Sequence, residues 1–157
     1  MDTIPLIIPY SDAYQDDFRR LNEEWILTYF ELEEMDKRAL NHPKEYILDK
    51  GGYIAVALWK GEAVGVCALI PCIHEGYDFE LSKMGVSPKA QGKGIGKLLG
   101  EHVIAKAKEL GAKKLFLESN RKLGPALSLY KKLGFREMVR IASPYSRSDI
   151  QMELNII

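Results

Sequence analysis

Cysteine is nearly absent from this chain of 157 residues: Cys67 and Cys72 are too few for a disulfide framework, so a reduced, cytoplasmic protein is the expectation. Long apolar runs are missing as well. No stretch approaches the ~18–20 residues of a membrane helix, and Met1 to Pro5 has neither the basic start nor the apolar run of a secretory leader. Net charge is absent too, with 22 Lys plus Arg against 22 Asp plus Glu, which argues against bulk electrostatic binding to nucleic acid or a membrane. Histidine is scarce. Cys72, His74 and Glu75 cluster near a strand end, but no second ligand pair stands at metal spacing, and no metal is expected.

What is present is the composition of a globular protein, 46% apolar and 28% charged, which excludes disordered and fibrous classes. The length predicts a single domain, residues 1–157. The zero net charge is unevenly spread: residues 1–82 carry 7 basic and 16 acidic side chains, residues 83–157 carry 15 and 6. A polarised chain invites an anionic ligand for its basic half.

Periodicity predicts a β entry at residues 3–9 and a helix capped at Ser11-Asp12 that carries Phe18, Leu21, Trp25 and Tyr29. An acidic second helix over Glu31 to Leu40 should stop before Pro43, because the residue before proline avoids the α region. Its carboxylates read either as a solvated face or as the lining of an amine entrance. Tyr53–Trp59 and Ala63–Pro71 form a hairpin pattern around Lys60-Gly61-Glu62. Tyr77–Val86 is a third long strand with a parity fault: Phe79 and Leu81 are apolar on one parity, Met84 and Val86 on the other. A bulge near Ser82-Lys83 would reconcile them, whereas a strand buried on both faces would need none. Further on come a helix ended by Gly111, a strand Lys114–Ser119, a helix Pro125–Leu133, β structure over Phe135–Arg140, a polar connection Ser143–Ser148 and a terminal strand Ile150–Ile157. The order is that of a mixed α/β domain.

The motif Gln91-Gly92-Lys93-Gly94-Ile95-Gly96 lies between a strand and a helix, where unsatisfied N–H groups and the helix dipole favour an anion. It is neither a dinucleotide fingerprint, since Lys97 stands where the third glycine belongs, nor a Walker loop, since Leu98 follows Gly96-Lys97. Glycine punctuation before a helix is the plain alternative. The motif fits the pattern Gln/Arg-x-x-Gly-x-Gly/Ala. It is preceded by Met84-Gly85-Val86-Ser87-Pro88 and followed by Ala126-Leu127-Ser128-Leu129-Tyr130-Lys131-Lys132-Leu133-Gly134-Phe135. Together these blocks, from about Glu80 to Glu137, resemble the GNAT superfamily of acyl-CoA-dependent N-acetyltransferases.

That resemblance implies an α/β fold with a mixed, mostly antiparallel six- to seven-stranded sheet, flanked by helices and splayed between its fourth and fifth strands, with acetyl-CoA in the opening as acyl donor. The backbone of Met84, Gly85 and Val86 would pair with pantetheine, and the N–H groups of Gln91, Gly92, Lys93, Gly94, Ile95 and Gly96 would hold the pyrophosphate. Tyr130 matches the thiolate-protonating tyrosine, although it shares a helix face with Leu123, Ala126 and Leu127 and has a core reading too. Glu80 stands where some members keep a base; the other reading is the solvated side of a strand. The asparagine that many members place seven residues before the tyrosine is Leu123 here. Asn120 either replaces it at pantetheine or closes a turn. Lys89, Lys93 and Lys97 flank the loop, Cys67 reads as a small buried hydrophobe, and His102 as a packed histidine.

The resulting expectation is direct transfer of an acetyl group to a primary amine on a small molecule or peptide, with no metal, nucleic acid or membrane partner, and with a homodimer through the terminal strand left open. A non-catalytic acyl-CoA-binding module and a nucleotide-binding protein with an atypical loop are the rival readings.

Overall fold

The computed structural model describes residues 4–156; Thr3 and Ile157, the outer ends of the expected first and last strands, lie outside the described residues. The strands are β1 (Leu6–Pro9), β2 (Tyr53–Trp59), β3 (Glu62–Pro71), β4 (Phe79–Val86), β5 (Lys114–Ser119), β6 (Arg136–Glu137) and β7 (Ile150–Asn155). They make one seven-stranded sheet in the order β1-β2-β3-β4-β5-β7-β6. Only β4 and β5 run parallel. Parallel neighbours need a crossover, here helix α3 (Ile95–Glu109); α1 (Gln15–Tyr29), α2 (Glu34–Asn41) and α4 (Gly124–Lys132) are the other α-helices among the described residues.

β2 and β3 read as continuous apolar runs because both faces are covered. Ala55, Ala57, Cys67 and Leu69 pack with Ile95, Leu99 and Val103 of α3. Ile54, Val56, Val66 and Ala68 pack with Phe18, Leu21 and Ile26 of α1 and Leu40 of α2.

The parity fault in β4 is resolved by a bulge. Ala68 pairs with Ser82 and Val66 with Gly85, so Cys67 alone faces both Lys83 and Met84. With that extra residue, Phe79, Leu81, Met84 and Val86 all join the α3-side core. Lys83 adopts φ 51°, a left-handed conformation that costs a side-chain-bearing residue roughly 1–2 kcal/mol.

Some local expectations differ from the structure. The Ser11 side chain caps nothing, because the chain enters α1 through a 3-10 turn, Asp12–Tyr14, in which the Tyr14 N–H donates to the Ser11 carbonyl at 2.9 Å. α2 starts at Glu34 and not Glu31, held by a capping box between Glu33 and Asp36. A π-helical turn, Lys44–Leu48, follows Pro43. The β structure expected over Phe135–Arg140 is confined to Arg136–Glu137. Beyond it the Gln151 side chain serves the backbone, accepting from the Ile141 N–H at 2.6 Å and donating to the Ile141 carbonyl at 3.0 Å.

Candidate functional site

β4 and β5 are paired only at Phe79 with Leu115 and Glu80 with Phe116, then diverge. A bulge bends its strand and increases the local twist, and the one at Lys83-Met84 lies just past the last shared pair. The resulting cleft, of about 650 Å³, is lined by β4 from Glu80 to Val86, by the glycine loop, by the end of β5, by α4, and by Trp25, Tyr29, Phe30, Tyr145 and Arg147. On the α1 side β4 is approached closely: a Cβ on Gly85 would lie 2.5 Å from the Leu21 carbonyl oxygen.

At one end of the cleft α3 begins. Gly94 is its N-cap at φ 76°, and Gly92 has φ 79°, conformations that suit glycine. The first turn of α3 carries no acidic side chain, so its unsatisfied N–H groups and positive dipole end face no competing anion there. The loop is tethered to the β2–β3 hairpin: Lys89 pairs with Glu62, and the Lys93 ammonium lies 4.5 Å from the Trp59 ring centroid. Lys97 and Lys132 line the cleft itself. This donor set fits a diphosphate.

Glu80 and Glu118 line the cleft where β4 and β5 part. Protein atoms surround the Glu80 carboxyl on nearly every side although part of its surface opens to the cleft. Burial first, and the neighbouring Glu118 charge second, push its pKa up to about 8, against the pull of Lys83. Glu80 is half-buried, with its carboxyl in the cleft wall.

Beside Glu80 lies a cluster that local sequence reading misses. The Lys83 ammonium donates to Asp36 Oδ1 at 2.6 Å and to the Tyr145 hydroxyl at 3.0 Å. Arg147 grips both Asp36 oxygens, at 2.6 and 2.7 Å, and reaches Glu33 at 3.4 Å. Its guanidinium lies 5.7 Å from the Trp25 ring centroid and 4.7 Å from that of Tyr145. Burial would raise the Asp36 pKa, but the hydrogen bonds from Arg147 and the charge of Lys83 outweigh it and hold the pKa at about 2. Asp36 is fully buried, a correction to its reading as part of a solvated acidic face or an entrance lining. The sequence signal available is a lysine at the point of β4 where the apolar parity changes.

Tyr130 reaches the cleft from α4, packs edge-on against Phe135 and belongs partly to the core. Burial, then the nearby Cys67, raises its pKa, so the phenol holds its proton. The Asn120 amide is engaged at both ends: it donates to the Arg147 carbonyl at 2.7 Å and accepts from the Lys122 N–H at 2.8 Å. Leu123 is the N-cap of α4 without a side-chain cap. Cys67 is fully buried, and His102 is stacked on Tyr53 with its Nε2 2.8 Å from the phenol oxygen. Burial pushes the Cys72 thiol up to about 11. No helix among the described residues is long and apolar enough to cross a membrane.

A bulged fourth strand, a splay beside it and a glycine-started helix across the opening define the acetyltransferase class of fold. Residues 12–135 match the Acetyltransferase (GNAT) family, and the chain belongs to that family. It is 36% identical over 84 residues to the uncharacterized N-acetyltransferase YjgM of Escherichia coli (strain K12), a match covering 53% of this chain and 50% of that protein. The chain thus spans about half the length of this curated relative. The crystal structure of a GNAT acetyltransferase from Staphylococcus aureus Mu50 superimposes with a TM-score of 0.87 over 98% of this chain and 100% of that one, at 22% identity. An acetyltransferase from Salmonella typhimurium, YncA, solved with its cofactor acetyl-CoA, superimposes with a TM-score of 0.75 over 98% and 95%, at 18% identity. At these identities the structural likeness is one of fold.

Proposed function

We propose that the chain is an N-acetyltransferase that moves the acetyl group of acetyl-CoA onto a primary amine by direct attack in a ternary complex. The observation that carries this reading is that Glu80, Tyr130 and the start of α3 face one cleft. The α3 N–H groups and the loop from Gln91 to Gly96 hold the pyrophosphate, while the backbone of Met84, Gly85 and Val86, left without a β5 partner by the splay, meets pantetheine. Acetyl-CoA supplies the activated acyl group.

An alkylammonium with a pKa near ~10 must lose a proton before its lone pair can attack. The ionised Glu80 carboxylate accepts it, directly or through a water. The amine nitrogen then bonds to the thioester carbonyl carbon while the bulge amide near Met84 donates to the carbonyl oxygen, an interaction worth ~3 kcal/mol at such sites. The C–S bond breaks, and Tyr130 gives the leaving sulfur its proton and regains one from the nitrogen or solvent. Asn120 is assigned to closing the β5–α4 turn, since both ends of its amide are engaged.

The test is acetyl-CoA-dependent CoA release across a panel of amines. Tyr130→Phe should lower kcat by ~100-fold with acetyl-CoA affinity unchanged. Binding of acetyl-CoA without turnover of any amine would favour an acyl-CoA-binding role instead.

A further inference from the structure

The half of the cleft beyond Glu80 has a composition that selects among amines. It is walled by Trp25 and Phe30 from the end of α1 and by Tyr145 from the β6–β7 connection, with the Arg147 guanidinium stacked between Trp25 and Tyr145. Two cations line this region, Lys83 and Arg147, and the protein neutralises both. Lys83 is paired with Asp36, and Arg147 with Asp36 and Glu33. Their side chains are 3% and 13% exposed. One ammonium and one guanidinium against two carboxylates leave this wall neutral. Glu80 and Glu118 have no cationic partner within hydrogen-bond distance among the described residues, so the carboxyl pair supplies the uncompensated negative charge where the amine must react, Glu80 adding its share as pH rises through about 8. At the rim Lys122 lies 5.5 Å from the Phe30 ring centroid, so the mouth carries a positive charge.

From this arrangement we infer that the acceptor is an alkyl- or arylalkyl-monoamine whose body is apolar and which carries no carboxylate beside the amine. The inference rests on the acetyltransferase reading above and names the substrate class of the same site. A single ammonium matches the Glu80–Glu118 pair. A carboxylate on the adjacent carbon would be brought to that pair while Lys83 and Arg147 are already engaged by Asp36 and Glu33, and like charges at close range discriminate strongly. A second ammonium further along the body would leave water for an aromatic wall and approach Lys122. The apolar body instead meets Trp25, Phe30 and Tyr145, large surfaces that gain from losing water. Glu33 acts here as a specificity-determining residue, because it supplies the second negative charge that cancels Arg147.

The test compares 2-phenylethylamine, phenylalanine and spermidine as acceptors with saturating acetyl-CoA. The expected kcat/KM for 2-phenylethylamine exceeds that for phenylalanine by ~100-fold and that for spermidine by ~10-fold. Equal or better use of phenylalanine or spermidine overturns the inference. Glu33→Gln, which keeps a side-chain oxygen for the α2 cap, should lower the discrimination against phenylalanine by ~10-fold; an unchanged ratio counts against the role of Glu33. Binding of the same three amines to the CoA-saturated protein, followed by tryptophan fluorescence, separates the two readings. Selective binding of 2-phenylethylamine without turnover upholds the acceptor class while overturning catalysis, and absence of selectivity in both assays overturns the acceptor class.

Discussion

The ammonium of Lys83 lies 2.6 Å from Asp36 Oδ1 at a place where the two side chains are 3% and 0% exposed. The pair joins the bulge of β4 to α2, and through Arg147 it joins both to the β6–β7 connection. Removing one member of such a buried group costs more than the group itself contributes, because the remaining charges are left without partners.

Asp36→Asn should therefore destabilise the protein by about 3–5 kcal/mol, read from the urea midpoint at neutral pH. The folded pKa of about 2 lies below that of an unfolded Asp, so the carboxylate contributes stability above pH ~4 that is lost as pH falls toward 2. Wild type should lose about 2 kcal/mol across that window, and the variant should lack this part of the pH dependence.

Glu80 titrates in the opposite sense. Its pKa is raised to about 8, so the base form fills in as pH rises through that value, and kcat/KM should climb to a plateau above it. Glu118→Gln removes the like charge and should move the limb to lower pH, while Glu80→Gln should flatten it. The same raised pKa favours the protonated folded state, so its contribution to stability is present at low pH and is lost as pH rises through about 8. Glu80→Gln should therefore melt above wild type at pH 9.

Gly85→Ala would place a Cβ 2.5 Å from the Leu21 carbonyl oxygen, a backbone atom that moves only with α1. A stability loss of about 1–3 kcal/mol is expected, together with a raised KM for the amine, because the new Cβ also lies 3.1 Å from Trp25 at the acceptor wall, and weaker acetyl-CoA binding, because the Gly85 backbone meets pantetheine.

The cofactor end presents Lys97 and Lys132 to the cleft and Lys93 beside it. Acetyl-CoA should bind several-fold more weakly at ~0.5 M salt than at ~0.05 M, since the Debye length shrinks over that range. An isothermal titration series measures this, and Lys97→Ala should flatten the slope.

The features legible in the sequence are those in which a short span states its own geometry. A change of parity within eight residues of β4 narrows that strand to a bulge or burial on both faces, because side chains alternate with period two, and the register decides for the bulge. Gly92 and Gly94 announce backbone with positive φ before a helix. The features missed depend on distant partners. Asp36 looks like one more carboxylate in an acidic run until Lys83 and Arg147 arrive from 47 and 111 residues away. Residues 138–141 have strand-like composition, but after Met138, whose N–H still meets the Gln151 carbonyl, the Gln151 side chain takes the place of a ladder partner at Ile141, which no pattern within that segment reveals. Ser11 has the right identity for a cap, but the 3-10 turn ahead of α1 leaves its hydroxyl without that task.

The separation between Asp36 and Arg147 also bears on how the domain assembles. β1 to β4 pair along a contiguous meander with α1 and α2 inserted, whereas the Arg147 contact requires closure over 111 residues. Loop-closure entropy weighs most heavily on such contacts, and chains rich in them order slowly. The phosphate cradle at the start of α3 draws on neighbours in sequence, while the aromatic and ionic wall waits for the two ends of the chain to meet. In refolding, recovery of nucleotide binding should therefore precede recovery of amine selectivity, and the interval between them times the docking of the sheet's two halves.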